Sequence, residues 1–568
     1  MKKDSTLTKN TDILIVGAGV AGLYTAYRLL EQNSKRKVVI LDRLNRTGGR
    51  LDSDLVAIKD PYDDKEAIVK EEEGGMRFED SMTELMSLFS ALNLCKDAVY
   101  FPMTTNRYFF RGHSFTEAES EENNKAIWGE LYDLEPAEQN QSPGDILNVI
   151  YKRILNVNGV ENVPKKPTPE FWQKFRLQFK WDGIELYKWQ LGGLIRNMGY
   201  SEECLTMLTD TLGFRGPFQG LPNAGEAWQI LEDFPADPQY FTLKRGFSSL
   251  IRKLEEKVIQ LGGIIHTGIN VNTINGTKGD YTINVSIAKK GESAYVFEQD
   301  TATETIHAEQ IVLAIPSKAM AMLFAASPVL HLNKNSRVFW EDINSIQPMN
   351  LLKINLYFDR PWWADGSTGQ PAVLAGPSFT DLPINSIYPF YTVQTAPGEP
   401  NKGKPAALTI YCDFTNTVFW RGLQNVGPKF DSPLQQEHSK TPQTLFPASK
   451  KVVAEAIKQI KSLFNTHYVP EPVLTSYRSW DGLNDFPHAY HQWALNADDK
   501  EVINRMTKPL YEEAIFTCNE SWSDMQGWVN GSLRSSEKML KDHFGLESIT
   551  EMFSGCVLVP PSSDTKKD

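Results

Sequence analysis

The first ordered pattern along the chain is an apolar run, ILIV at 13–16, followed by three glycines in GAGVAG and then by Leu23, Ala26, Tyr27 and Leu30 at three- and four-residue spacing. That spacing puts one apolar face on a helix, and a second apolar run, VVIL at 38–41, completes a strand–helix–strand unit. From about residue 120 to 235, the periodicity of Trp128, Leu131, Phe171, Trp172, Phe175, Leu194 and Leu208 predicts a mostly helical region broken at VPKKPTPEF. FTLKRGFSSLIRKLEEKVIQLGG at 241–263 reads as one amphipathic helix stopped by its glycines. IIHTGINVNTI, DYTINVSIA and AYVFEQ then alternate as hairpin strands, and QIVLAIP is a buried strand. LLKINLYF, SIYPFYTV and ALTIYCDF predict a second sheet, NVGPKFDSPLQQEHSKTPQ an exposed loop, and VVAEAIKQIKSLF an amphipathic helix. The final stretch from AIFTC to KDHFG predicts strand, loop and helix.

At 568 residues the chain is longer than a single growing core supports, so two or three domains are expected. The net charge of -12 argues against a nucleic-acid partner, which needs concentrated Lys and Arg. Five scattered cysteines fit neither a disulfide framework nor a zinc site, and a reducing compartment follows. The N-terminus lacks an apolar signal segment and no long apolar run is present, so a cytoplasmic location without a transmembrane segment is expected. His488, His491 and Asp485 have no third clustered ligand type nearby, and no metal is expected.

GAGVAG follows a strand and opens a helix. Gly17 permits the tight turn, Gly19 lets backbone approach a pyrophosphate beside Val20 and Ala21, and Gly22 allows close packing. Asp42, ending VVILD just before Arg43, is the acid expected to meet a ribose hydroxyl. RTGGR at 46–50 supplies a second glycine turn with Gly49 and Arg50, suited to a second phosphate. In EEEGGMRF, Arg77 follows a glycine pair in an apolar setting, where a guanidinium must find an anion in the protein or on a ligand. Lys353 interrupts the apolar strand LLKINLYF, which demands a route to water or a functional partner.

GAGVAG, Asp42, Gly48-Gly49-Arg50 and the tail SDMQGWVNGSLRSSE together resemble the flavin amine oxidase superfamily, and EEGGMR resembles its L-amino-acid oxidase branch. The resemblance implies an α/β fold: an FAD-binding Rossmann-like domain of the glutathione-reductase type (1–80, 240–320 and 495–560), a mixed-sheet substrate-binding domain (81–120 and 321–494) and a helical insertion (121–239). It implies non-covalent FAD, contacted by Gly17, Gly19, Val20, Ala21, Gly22, Asp42, Arg43, Gly49, Arg50, Gly74, Gly75, Met76, Arg77, Val271, Glu520, Gln526, Gly527 and Trp528. Arg77 and Tyr388 would hold a substrate carboxylate, with Tyr391 as the weaker tyrosine. Gly527 would orient the amine, and Trp528, His491 and Trp493 would wall the pocket. Lys353 would hold a water near flavin N5 and assist oxygen.

The activity so implied is oxidative deamination of an L-amino acid by hydride transfer from Cα to N5, with O2 as reoxidant, in a homodimer. A decarboxylating amino-acid 2-monooxygenase and a mono- or polyamine oxidase share these motifs. A flavin-binding interaction protein without catalysis is the reading from another class. CNES at 518–521, where the family more often has CGEA, departs from its pattern beside Glu520.

Overall fold

A computed structural model describes residues 7–60, 65–161, 167–232, 239–288, 303–366, 368–395, 403–432, 446–483 and 487–560. β1 (Asn10–Val16), α1 (Val20–Gln32) and β2 (Val38–Asp42) form the expected unit, with Ile13 opposite Val38 in a parallel pair. The next two strands, β3 (Ser53–Lys59) and β4 (Glu66–Glu72), pair as a hairpin that the apolar pattern does not reveal, because four of its seven buried positions are charged. The region from 117 to 232 is mainly helical, including α2 (Pro143–Val157), α3 (Pro169–Gln178) and α4 (Ala224–Glu232), around a core containing Trp128, Ile150, Phe175 and Trp228. Thr168 caps α3 by accepting from Phe171 N, with proline at its first position.

The helix read over 241–263 is shorter than expected. β5 (Tyr240–Leu243) pairs with Ala98–Phe101 and Phe78–Glu79, and only α5 (Ser248–Gln260) is helical, after a turn at Gly246. Pairing partners distant in sequence override the local periodicity here.

β6 (Ile264–Thr267), β7 (Ile269–Thr277), β8 (Asp280–Ile287) and β9 (Thr303–Leu313) complete the first sheet with the late strand Ile515–Thr517. Its order is β6-β2-β1-β9-β8-β7, parallel except for the β7–β8–β9 meander. AYVFEQ lies outside the described residues.

β10 (Leu351–Phe358), β11 (Ser386–Phe390), β12 (Ala406–Asp413) and β13 (Leu474–Trp480) form the second sheet, in the order β13-β10-β12-β11. It extends through Ser378–Thr380 to a hairpin at 108–115 and is mixed, since Ser378–Thr380 runs parallel to Tyr108–Phe110. The segment read as an exposed loop begins inside a helix, Phe414–Val426, and residues 433–445 lie outside the description. β14 (Tyr490–Trp493), β15 (Ile515–Thr517) and α6 (Val529–Phe544) return the chain to the first sheet, where β15 joins β9. The architecture is thus α/β: a Rossmann-like sheet, a mixed sheet and a helical insertion.

Cys95 and Cys556, 461 residues apart, are joined by a disulfide. This overturns the expectation of unpaired cysteines and removes its support for a reducing compartment, because that expectation weighed spacing, which says nothing about a partner brought in by the last helix. Cys204, Cys412 and Cys518 are free and buried. No helix among the described residues is long and apolar enough to cross a membrane.

The helical insertion is tied to the C-terminal part by a buried ion pair. Arg176 of α3 donates through Nε to Asp499 at 3.0 Å, both side chains being 1% exposed, and Glu226 of α4 lies 3.9 Å from Arg176 Nη1. Arg176→Ala strands two buried acids, so a denaturant titration is expected to show a stability loss of about 3–5 kcal/mol. A loss below about 1 kcal/mol, the worth of a surface pair, would contradict this.

Candidate functional site

Two adjoining cavities carry most of the sequence-predicted residues. The larger, about 730 Å³, opens along the carboxyl ends of β1 and β2, where ligands of open α/β sheets bind. Gly17, Gly19, Val20, Ala21, Asp42, Arg43, Gly49, Arg50 and Val271 line it. Gly17 has φ +106°, and a Cβ there would lie 2.4 Å from Ala314 O. Gly22 packs α1 onto the turn, since its Cβ would fall 1.9 Å from Gly17 O. A Cβ at Gly19, by contrast, would meet nothing within 4 Å and would occupy the cavity itself.

The Asp42 carboxylate knits this cradle together. Oδ2 accepts from Ala18 N at 2.7 Å and Oδ1 from Leu44 N at 2.8 Å, which partly offsets the rise in its pKa caused by burial. Each oxygen keeps a second lone pair for a ribose hydroxyl.

Glu520 organises the other end. Burial opposes its charge, but Arg50 Nη1 at 2.6 Å, His491 Nδ1 at 3.0 Å and the backbone N–H groups of His491 and Gly527, each at 2.9 Å, hold it far below the usual carboxylate range. The Asn519 departure is absorbed locally: its Oδ1 accepts from Ser521 N and its Nδ2 donates to Ile315 O. Gly527 turns with φ +84°, a conformation that favours glycine, and carries Trp528 onto the boundary of both cavities.

The smaller cavity, about 140 Å³, shares Arg50, Gly75, Gly527 and Trp528 with the larger one. Gly74, Met76, Arg77, Lys353 and Gln526 also line it. Gln526 is fixed by its amide donating to Ser521 O. The Arg77 guanidinium, 7% exposed, lies 4.9 Å from the ring centre of Tyr240, which also stacks on Trp528 at 6.1 Å and 16°. Burial works against the charge of Arg77, and the hydroxyls of Tyr388, Tyr240 and Tyr411 support it.

Lys353 Nζ donates to Glu72 O at 2.8 Å and Gly74 O at 2.6 Å, leaving one of its three protons uncommitted. Burial lowers its pKa to about 8, against the pull of Glu72 first and of the acids beside it.

Three expectations need correction. Tyr388 is not on the cavity wall; it is buried beside Arg77, from which it accepts a hydrogen bond, and Tyr411 is the phenol that lines the cavity. Tyr391 donates to Val373 O, away from the site. His491 and Trp493 line neither cavity: His491 lies behind Glu520 with Nε2 2.8 Å from Ser317 Oγ, and Trp493 is buried in the main core. They point to the opposite face of β14 from Tyr490, which does line the smaller cavity.

The sequence reading missed Phe214, Ile230 and Leu351 in the cavity wall and Tyr240 beneath Arg77. Tyr240 opens YFTL, a short strand whose four residues are all buried and whose end the sequence reading merged with the adjacent helix. Asp485 lies outside the described residues, and among those described no group of three His, Cys, Asp or Glu could hold a metal.

The larger cavity fits FAD on three observations: the glycine cradle open at Gly19, an acid at the strand end, and Arg50 beside the second glycine turn.

Known proteins agree with this fit. A profile of the family described as flavin containing amine oxidoreductase matches residues 20–418. Along nearly full length the chain is similar to protein R188 of Acanthamoeba polyphaga mimivirus (23% identity, 95% of each chain) and to achacin of Lissachatina fulica (22%, 94% of each). It is also similar to aplysianin-A of Aplysia kurodai (21%, 95% of this chain and 91% of that one). Among solved structures, putrescine oxidase with putrescine bound has the same fold, with a TM-score of 0.59 at 15% identity over 95% of this chain and 100% of that one. The chain belongs to the flavin-containing amine oxidoreductase family, and its cofactor is FAD.

Proposed function

We propose that the protein is an FAD-dependent L-amino-acid oxidase, converting an L-amino acid, water and O2 to a 2-oxo acid, ammonia and hydrogen peroxide. The observation that carries this reading is Arg77, a buried guanidinium in the wall of the cavity adjoining the FAD cradle. FAD, when bound, supplies the acceptor for the two electrons that leave the substrate. The chain supplies position and charge.

Arg77 presents a planar fork to the substrate carboxylate, where a charge-assisted pair in a dry site is worth most. Tyr388 and the face of Tyr240 hold that fork in place. Gly527 at the boundary of the cavities accepts from the neutral amine, and Trp528 confines it. Phe214, Ile230 and Leu351 exclude water around the substrate side chain and Cα. The Lys353 ammonium stabilises negative charge developing on oxygen.

An amine oxidase reading is suggested by the putrescine oxidase fold, but Arg77 and Lys353 in one small cavity repel a substrate whose only charges are ammonium groups.

Two outcomes test these roles. Arg77→Met is expected to raise KM for L-amino acids by about a hundredfold, the loss of about 3 kcal/mol from a charged pair, with FAD still bound. An unchanged KM would refute the carboxylate role. For Lys353 the sign follows from a pKa near 8, so the ammonium is present below that pH and lost above it. Oxygen consumption at saturating substrate should fall as pH rises through about 8, and Lys353→Met should abolish that limb and slow the oxygen step about a hundredfold. A limb that survives in Lys353→Met would exclude the lysine.

A further inference from the structure

The acids of EEEGGMRF lie behind the site. Glu71, Glu72 and Glu73 are wholly buried and line neither cavity. Lys353 and Asn355 share one face of β10, and the register places Asn355 between Thr409 of β12 and Ser476 of β13. These side chains join Glu71 to Glu73. Thr409 Oγ1 lies 2.8 Å from Glu71 Oε2 and 2.8 Å from Asn355 Oδ1. Asn355 Nδ2 donates to Glu73 Oε1 and to Ser476 Oγ, each at 2.9 Å, and the Ser476 hydroxyl donates to Glu73 Oε1.

The direction of this chain is set by counting hydrogens. The Asn355 amide has its nitrogen committed to Glu73 and Ser476, so its oxygen requires a donor, and among the described residues the donor that reaches it is the Thr409 hydroxyl. That hydroxyl has a single hydrogen. An ionised Glu71 would therefore face the lone pairs of Thr409 at 2.8 Å with no hydrogen between them, whereas a protonated Glu71 donates and the Glu71–Thr409 and Thr409–Asn355 contacts each hold one hydrogen.

We propose that Glu71 is held as a neutral carboxylic acid donating to Thr409, a positioning residue that leaves Glu73 as the one carboxylate charge of this array behind Lys353. Two of the neighbouring acids have basic partners. Lys70 lies 3.6 Å from Glu72, and Arg478 pairs with Asp52 at 2.6 Å. Asp54, opposite Glu71 in the hairpin, and Tyr357 close the layer, with Arg77 and Tyr411 on the cavity side. Burial drives Glu71 in the same direction, well above the ordinary carboxyl range, and outweighs the opposing charge of Lys353.

Glu73 sits between the two residues whose carbonyls hold Lys353, so the array fixes the ammonium's place and favours its charge. This consequence rests on the oxygen role of Lys353 proposed above.

The test uses the full FAD-loaded chain. Glu71→Gln replaces the acid by a neutral donor of the same shape, and is expected to fold, to remove one buried-acid carbonyl component from the infrared spectrum of the resting protein while Glu226 keeps its own, and to keep the oxygen limb near pH 8. Glu73→Gln should keep that band and move the limb down by about one pH unit. A carbonyl region identical in Glu71→Gln and the unsubstituted protein, a limb moved equally by both substitutions, or a Glu71→Gln chain that fails to fold while Thr409→Ser folds overturns the proposal. Because the band is read without turnover, it decides the Glu71 assignment even where Lys353→Met shows the lysine to have no part in the oxygen step.

Discussion

Arg50, Arg77 and Lys353 meet around one small cavity, where little water reaches them, and the local structure is built to answer those three positive charges. Arg50 is met by Glu520, a carboxylate that also draws in the Gly527 turn and the backbone of His491. Lys353 is met by two carbonyls at the end of β4 and by the acids beside them. Arg77 rests against phenols and the face of Tyr240 on one side and borders the cavity on the other. An acidic run, a glycine pair and a late glutamate, far apart in sequence, are thereby parts of one electrostatic arrangement.

That arrangement explains why EEEGGMRF has its composition. The glycines bring backbone to the cavity wall: a Cβ at Gly74 would lie 1.9 Å from Arg50 O. The acids act within the protein, beneath Lys353, and Arg77 alone of the charged residues in this motif reaches the cavity. Division of labour along eight residues follows from strand alternation followed by a turn.

Sequence revealed what is chemically contiguous. The GAGVAG turn, Asp42, RTGGR and QGW each carry their chemistry within a few residues, and all four line the larger cavity or its junction with the smaller one. It concealed what depends on pairing. In YHQW at 490–493 all four residues are buried, so polarity gives no hint of which alternate pair faces the ligand, and Tyr490 rather than His491 and Trp493 does. Tyr411 reaches the cavity because β12 sets it opposite Lys353, a register that no local pattern encodes. The Cys95–Cys556 disulfide was hidden for the same reason, its halves lying 461 residues apart in the chain.

The central claim is that the cavity beside FAD selects an α-amino acid by its carboxylate. Anaerobic mixing of the FAD-loaded protein with L-amino acids, their D-enantiomers and the corresponding decarboxylated amines tests it most directly, with flavin absorbance as the readout. The account predicts rapid bleaching by one or more L-amino acids and none by the D-forms or the amines. Bleaching by amines at comparable rates, or by no L-amino acid at all, would contradict it.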